Sequence, residues 1–337
     1  MRARRVLLRA GVAVAALAAA AAAAAALFSA RPQGGPPGAV VGVEIPAGSS
    51  AREVAARLAE AGVSRPAWLV SALMRISGVS RRVKAGRYAF ELPVAPAEVL
   101  RALARGRVAT FPVTVPEGLT VEEVAKLLAR EGFADEEALL EAFRDPRPIR
   151  DLAPAAETLE GYLFPETYRF PKPYDARRIA AEMVATFRTR FAEPHAAEIA
   201  ASKLSLHEIV TLASLVEKET AVAEERPLIA GVYLERLERG MRLQCDPTVI
   251  YALKRAGKWD GNIRRADLRR DDPYNTYVRV GLPPGPIASP GLDALIAALN
   301  PVRSGALYFV SRGDGTHVFS RTLAEHNRAV RRFLSRR

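Results

Sequence analysis

A chain of 337 residues with 49% hydrophobic and 26% charged side chains is long enough for two or three domains and too apolar to stay disordered. Its formal net charge of +12 suggests an anionic partner: a membrane surface, a cell-wall polymer or nucleic acid. Nucleic acid ranks last, because the arginines are spread along the whole length with neither zinc-finger spacing nor an aromatic RNP-type run. A lone cysteine, Cys245, excludes an intramolecular disulfide and a cysteine metal cluster.

Residues 1–9 carry Arg2, Arg4, Arg5 and Arg9 and no acid, and 10–30 carry no charge at all. The uncharged run is mostly alanine, with Val12, Val14, Leu17, Leu27 and Phe28. About 20 apolar residues span the hydrocarbon core of a bilayer, so 10–30 is expected to be a transmembrane helix. The preceding arginines would hold 1–9 in the cytoplasm and leave everything beyond Arg31 outside it. A cleaved signal peptide is the competing reading, although its apolar core usually runs only about 7–15 residues. The Pro- and Gly-rich stretch 31–42 reads as a linker.

An internal repeat follows. Val43-Glu44-Ile45-Pro46-Ala47-Gly48-Ser49-Ser50 leads into an amphipathic stretch at 51–59, and Val113-Thr114-Val115-Pro116-Glu117-Gly118-Leu119-Thr120 leads into another at 121–128. Each copy predicts a strand, a Pro-x-Gly turn, a Ser or Thr N-cap and a helix. Between the copies the pattern predicts a helix at 67–76, a strand at 86–90 and a helix at 96–104; a further helix follows at 135–145. Residues 43–150 thus form a small α+β module, and 151–337 a second, mixed α+β domain. The module resembles LysM-like modules, which bind N-acetylglucosamine-containing glycans; it reads equally well as a scaffold for the domain that follows.

In that domain Glu160-Gly161-Tyr162-Leu163-Phe164-Pro165-Glu166-Thr167-Tyr168-Arg169-Phe170 mixes aromatic rings with acids. Such a mixture suits a sugar groove, where pyranose faces stack on rings and hydroxyls need polar partners; the edge of a core strand is the alternative. Helices are predicted at 175–191 and 194–203. Ser205, with Glu208 three residues on, is a capping box that opens the central helix, 206–220. On it Glu217 shares a face with Ala213, Val210 and Leu206, so an acid ends an apolar stripe. Burial favours its protonated form, as a general acid requires. Glu219 lies about 160° away round the helix, on a row with Leu215, Leu212 and Glu208, and is the rival acid. Both could also be plain surface acids.

A long helix at 224–238 ends before Gly240. Met241-Arg242-Leu243-Gln244-Cys245-Asp246-Pro247-Thr248 enters another helix near Pro247, with Asp246 as a candidate N-cap. Asp272-Pro273-Tyr274-Asn275-Thr276-Tyr277 and the proline-rich 281–291 read as rigid loops. A helix at 291–299, a hairpin of 307–311 with 317–320 and a basic helix at 323–334 complete the pattern.

Four blocks in this order resemble the MltG/YceG-like family of endolytic murein transglycosylases: Ala213-Ser214-Leu215-Val216-Glu217-Lys218-Glu219-Thr220, Asp246-Pro247-Thr248-Val249-Ile250-Tyr251, Tyr274-Asn275-Thr276-Tyr277 and Gly281-Leu282-Pro283-Pro284-Gly285. The anchor and the LysM-like module fit the same layout. The resemblance implies Glu217 as the single catalytic acid, Glu219 as a supporting acid, and Glu166, Gln244, Asp246, Thr248, Asn275 and Tyr277 as substrate-binding candidates. Asp246 could equally be only a helix cap. Cys245 departs from the threonine expected there and puts fine substrate contacts in doubt. The resemblance further implies no cofactor or metal, and a peptidoglycan glycan strand as partner. It implies a single-pass inner-membrane location facing outward, beside enzymes of peptidoglycan synthesis.

Two other classes stay open on the residues alone. A hydrolytic muramidase would need a second carboxylate, with Asp246 or Glu166 the candidates. A non-catalytic, membrane-anchored glycan-binding protein would need none. None of His195, His207, His317 and His326 sits in a recognisable nucleophile setting, which argues against a serine or cysteine hydrolase.

Overall fold

Two capping boxes set out the repeat. Ser50 Oγ accepts from Glu53 N–H at 3.3 Å while Glu53 Oε2 accepts from Ser50 N–H at 2.7 Å. Thr120 and Glu123 repeat the exchange at 3.3 and 3.0 Å. Each box satisfies free N–H groups at a helix start. The computed structural model describes residues 2–46, 48–106 and 108–333, without the side chains of 2–11 and 13.

The chain divides into two compact units, Met1–Phe111 with Pro171–Pro173, and Pro112–Phe170 with Tyr174–Arg337. In the first, helix α1 (Arg2–Ala30) precedes β1 (Val40–Ile45), α2 (Ala51–Glu60), α3 (Ala67–Ile76), β2 (Gly86–Glu91) and α4 (Pro96–Arg105). β1 and β2 pair antiparallel with Val43 opposite Tyr88. Period-two alternation turns Val43, Ile45, Tyr88 and Phe90 inward, onto Val54, Leu58, Met74 and Leu103.

The helix expected over 10–30 forms within α1, but among the described residues no helix is long and apolar enough to cross a membrane. Part of that span (the side chains of 10, 11 and 13) lies outside the described residues. The remainder is chiefly alanine, which contributes one methyl per residue. Near its end Phe28 packs against the core of the first unit.

The second copy of the repeat belongs to the larger unit, not to a 43–150 module. β3 (Thr110–Val115), α5 (Val121–Arg130), α6 (Glu136–Arg144) and β4 (Glu166–Pro171) repeat the order of β1, α2, α3 and β2, and β3 pairs with β4. The whole motif is duplicated, not only its first strand and helix. β4 lies within the stretch read as a sugar groove. Its Tyr168 and Phe170 are buried and stack at 5.2 Å, and Tyr162 and Phe164 are buried as well, so these aromatics serve the core.

The rest of the larger unit is α7 (Ala176–Phe187), a π-helical turn at Arg188–Ala192, α8 (Ala196–Ala201), α9 (Leu206–Glu219), α10 (Arg226–Glu238), α11 (Asp246–Arg255), α12 (Leu292–Leu299), the hairpin β5 (Tyr308–Ser311) and β6 (His317–Ser320), and α13 (Leu323–Phe333). α9 is the centre. Every residue from Leu206 to Val216 except Glu208 is buried, and α10, α11 and α12 pack on it.

Candidate active site

α9 ends in Glu217, Lys218 and Glu219, and a turn of about 100° per residue sends the three side chains in different directions. Glu217 Oε2 accepts from Gly291 N–H, at the start of α12, at 3.0 Å. Its Oε1 lies 3.6 Å from Arg226 Nη2, with the two side chains 8% and 9% exposed. Burial raises the Glu217 pKa and so does the charge of Glu117, against the Gly291 N–H bond and Arg226, which lower it. Arg226 also faces Glu117 at 3.8 Å and Asp293 at 3.4 Å. Lys218 Nζ donates to Gly118 O at 3.0 Å, Gly118 N–H to Ser289 O at 2.8 Å, and Ser289 N–H to Leu119 O at 2.8 Å. The turn of the second repeat is thereby tied to α9 and to the loop before α12. Three acids and one arginine form an ionic cluster in which Glu217 and Arg226 are enclosed and Glu117 and Asp293 face solvent.

Glu219 emerges elsewhere. Tyr233 O–H donates to its Oε1 at 2.5 Å. Burial raises its pKa, opposed by bonds from Tyr233 and Cys245 and reinforced by the charge of Asp246. Glu219 lines a cleft of about 320 Å³ together with Gln244, Asp246, Tyr277, Arg236 and Tyr308. Tyr277 O–H donates to Asp246 Oδ1 at 2.5 Å; burial holds both Tyr233 and Tyr277 above the ordinary tyrosine pKa, so each stays a neutral donor. Gln244 has φ of 52°, the one positive value among described residues other than glycine. Strained backbone of this kind collects at sites where a side chain must be aimed. Arg236 donates to Leu243 O and Leu307 O, both at 2.7 Å, and fixes the walls on either side.

Of the residues singled out from sequence, Glu219, Gln244, Asp246 and Tyr277 meet in this cleft. Thr248 and Asn275 stand behind it, fully enclosed. Thr248 Oγ1 donates to Cys245 O at 2.7 Å, and Asn275 Nδ2 to Arg270 O at 2.8 Å, so both brace loops. Cys245 is buried beside Glu219 and Tyr233. Glu166 pairs with Arg190 at 2.8 Å at the start of β4, and neither it nor Glu217 is among the residues that line the cleft. Sequence reasoning missed Tyr233, Arg236, Glu117, Arg226 and Asp293. Glu117 had a signal: the matching turn of the first repeat holds Ala47. Among the described residues no group of three or more His, Cys, Asp and Glu side chains could hold a metal ion.

The sequence model of the YceG-like family matches residues 43–332. A Bacillus subtilis protein named endolytic murein transglycosylase is 33% identical over 310 residues, covering 88% of this chain and 85% of its own length. A Streptococcus pneumoniae protein of the same name, from strain D39, is 32% identical over 323 residues; the match covers 86% of this chain but 58% of that longer protein. The crystal structure of a yceG-like protein from Listeria monocytogenes matches with a TM-score of 0.57 at 33% identity, over 86% of this chain and 99% of that one.

Proposed function

The chain belongs to the YceG-like family, and from that premise we propose that it is an endolytic murein transglycosylase, a lyase that cuts peptidoglycan strands between N-acetylmuramic acid and N-acetylglucosamine. Glu219 is the acid in this reading. Protonated, it donates to the glycosidic oxygen as the bond to C1 breaks. As carboxylate it takes the proton of the muramoyl 6-hydroxyl, whose oxygen attacks C1 and closes a 1,6-anhydro ring. The acid is restored and no water is consumed. Asp246, which lines the same cleft and accepts from Tyr277 O–H, would stabilise positive charge developing at C1, and Gln244 would bond sugar hydroxyls.

The observation that carries the assignment is the contrast between the two acids of α9. Glu219 lines the cleft beside Asp246, whereas Glu217 is not among its lining residues and is taken up by Gly291 N–H and Arg226; burial raises the pKa of both. The test is mass spectrometry of peptidoglycan digested by the chain and by Glu219→Gln and Glu217→Gln. Anhydro-muramoyl ends that vanish only in a folded Glu219→Gln support the assignment. Their loss in a folded Glu217→Gln alone returns the role to Glu217. Reducing muramic acid ends would mean hydrolysis, with Asp246 as the second carboxylate.

The arginines ahead of the alanine run support attachment to the inner membrane through α1, with the remainder outside the cytoplasm. There the chain would act on strands beside synthesis enzymes, and the first βααβ motif would hold glycan as a LysM-like module does. Release of the chain from membranes by an alkaline carbonate wash would overturn the attachment.

A further inference from the structure

The larger unit has a second concavity. A cavity of about 250 Å³ is walled by Glu160, His207, Tyr251, Tyr274, Arg144 and Arg255. A hollow of about 460 Å³ shares Glu122, Tyr251 and Arg255 with it and adds Trp259, so the two form one groove. α11 relates the groove to the cleft: Asp246 at its first residue lines the cleft, and Tyr251 and Arg255 further along line the groove. At about 1.5 Å per residue, Arg255 lies roughly 13 Å along the axis from Asp246.

The groove is built, not incidental. Glu160, 4% exposed, accepts from Val121 N–H at 3.2 Å and from Tyr251 O–H at 3.0 Å, which fixes the tyrosine. The Tyr251 and Tyr274 rings lie 4.9 Å apart, and the Arg255 guanidinium lies 4.7 Å from the Tyr274 ring. His207 bonds Pro284 O at 2.9 Å and Tyr162 Oη at 2.8 Å, so that wall is fixed as well. Among the described residues neither Arg144 nor Arg255 has a carboxylate partner.

The chemistry selects a ligand class. Trp259 is half-buried and offers a face to a pyranose ring, beside the packed Tyr251–Tyr274 pair on which the Arg255 guanidinium lies. A fork of guanidinium N–H groups suits a carboxylate. Glu122 and Glu157, which line the same cavity, accept from hydroxyls and amides and disfavour a multiply charged phosphate more than a single carboxylate. We propose that this groove binds a carboxylate-bearing N-acetyl sugar unit of the glycan strand, away from the bond that is cut.

Choosing a peptidoglycan fragment as probe rests on the transglycosylase reading; the readout does not, because it needs no turnover. Trp68 and Trp259 are the two tryptophans of the chain, so Trp68→Phe leaves Trp259 as the sole reporter. The full chain carrying Trp68→Phe and Glu219→Gln is titrated with the peptide-free disaccharide of N-acetylglucosamine and N-acetylmuramic acid, whose lactyl carboxylate is free, with chitobiose, which lacks a carboxylate, and with inorganic phosphate. A saturable change in Trp259 emission with the muramoyl disaccharide, weaker with chitobiose, is expected. Arg255→Ala should weaken it at least tenfold, and Arg255→Lys, which keeps the charge and loses the fork, by less. No emission change with the muramoyl disaccharide, an unaltered titration in a folded Arg255→Ala or Arg255→Lys, or an equal response to chitobiose or to phosphate overturns the proposal. Failure of the transglycosylase reading would appear in product masses instead.

Discussion

The Tyr233 hydroxyl, carried by α10, donates to Glu219 Oε1 on α9 at 2.5 Å. The bond favours the carboxylate over the acid, so it restrains a pKa that burial drives upward. Tyr233→Phe removes that restraint. The Glu219 pKa should rise further, and the alkaline limb of kcat/KM for strand cleavage should move to higher pH, while stability falls by about 1 kcal/mol. A pH–rate profile whose limb stays put, or moves down, would detach Tyr233 from the acid.

Arg226→Met tests the ionic cluster. With the arginine and Glu217 both nearly enclosed, loss of the cation leaves a buried carboxylate uncompensated, at a cost of about 3 kcal/mol. Arg226 lowers the already raised Glu217 pKa, so without it that pKa climbs. The deficit should be larger at pH 8 than at pH 5, shrinking as acid favours the protonated form of Glu217. Denaturant unfolding at the two pH values measures this; an equal deficit at both would contradict it.

Glu160 gives the fold a pH dependence of its own. Burial, with Glu122 and Glu123 nearby, lifts its pKa from 4.5 to about 8 against the bonds from Tyr251 and Val121. Between those values the folded chain holds a proton that the unfolded chain has released, so stability falls as pH rises through the window. The slope for this one group is at most about 1.4 kcal/mol per pH unit. Glu160→Gln keeps an oxygen to accept both bonds and removes the titration, so its unfolding free energy should change less over pH 5–8 than that of the parent chain.

Much of this was legible in sequence because it is local. The capping boxes at Ser50, Thr120 and Ser205 each need only four consecutive residues, and all three form. The choice between Glu217 and Glu219 was not legible. A stripe argument presumes a helix with one buried face, and α9 is buried on nearly every side, so each acid leaves an apolar row and only its distant neighbours distinguish them. Those neighbours come from Glu117, Tyr233 and Gly291, which periodicity along α9 does not reveal. The aromatics of 160–170 were ambiguous for a related reason. Rings that suit a sugar also suit a core, and the pairing of β4 with a strand some fifty residues earlier turned them inward.

The ties of Gly118 to Lys218 and Ser289 bear on how the molecule is born. Residues from three remote parts of the chain must converge before the end of α9 is held, and contacts of such long sequence separation form slowly. A chain still emerging from the ribosome, short of Gly291, lacks the amide that receives Glu217. Short of Tyr308, it also lacks a wall of the cleft around Glu219. With Glu219 as the proposed acid, the competence to cut would arrive only with the last tenth of the chain, once Tyr308 has been made.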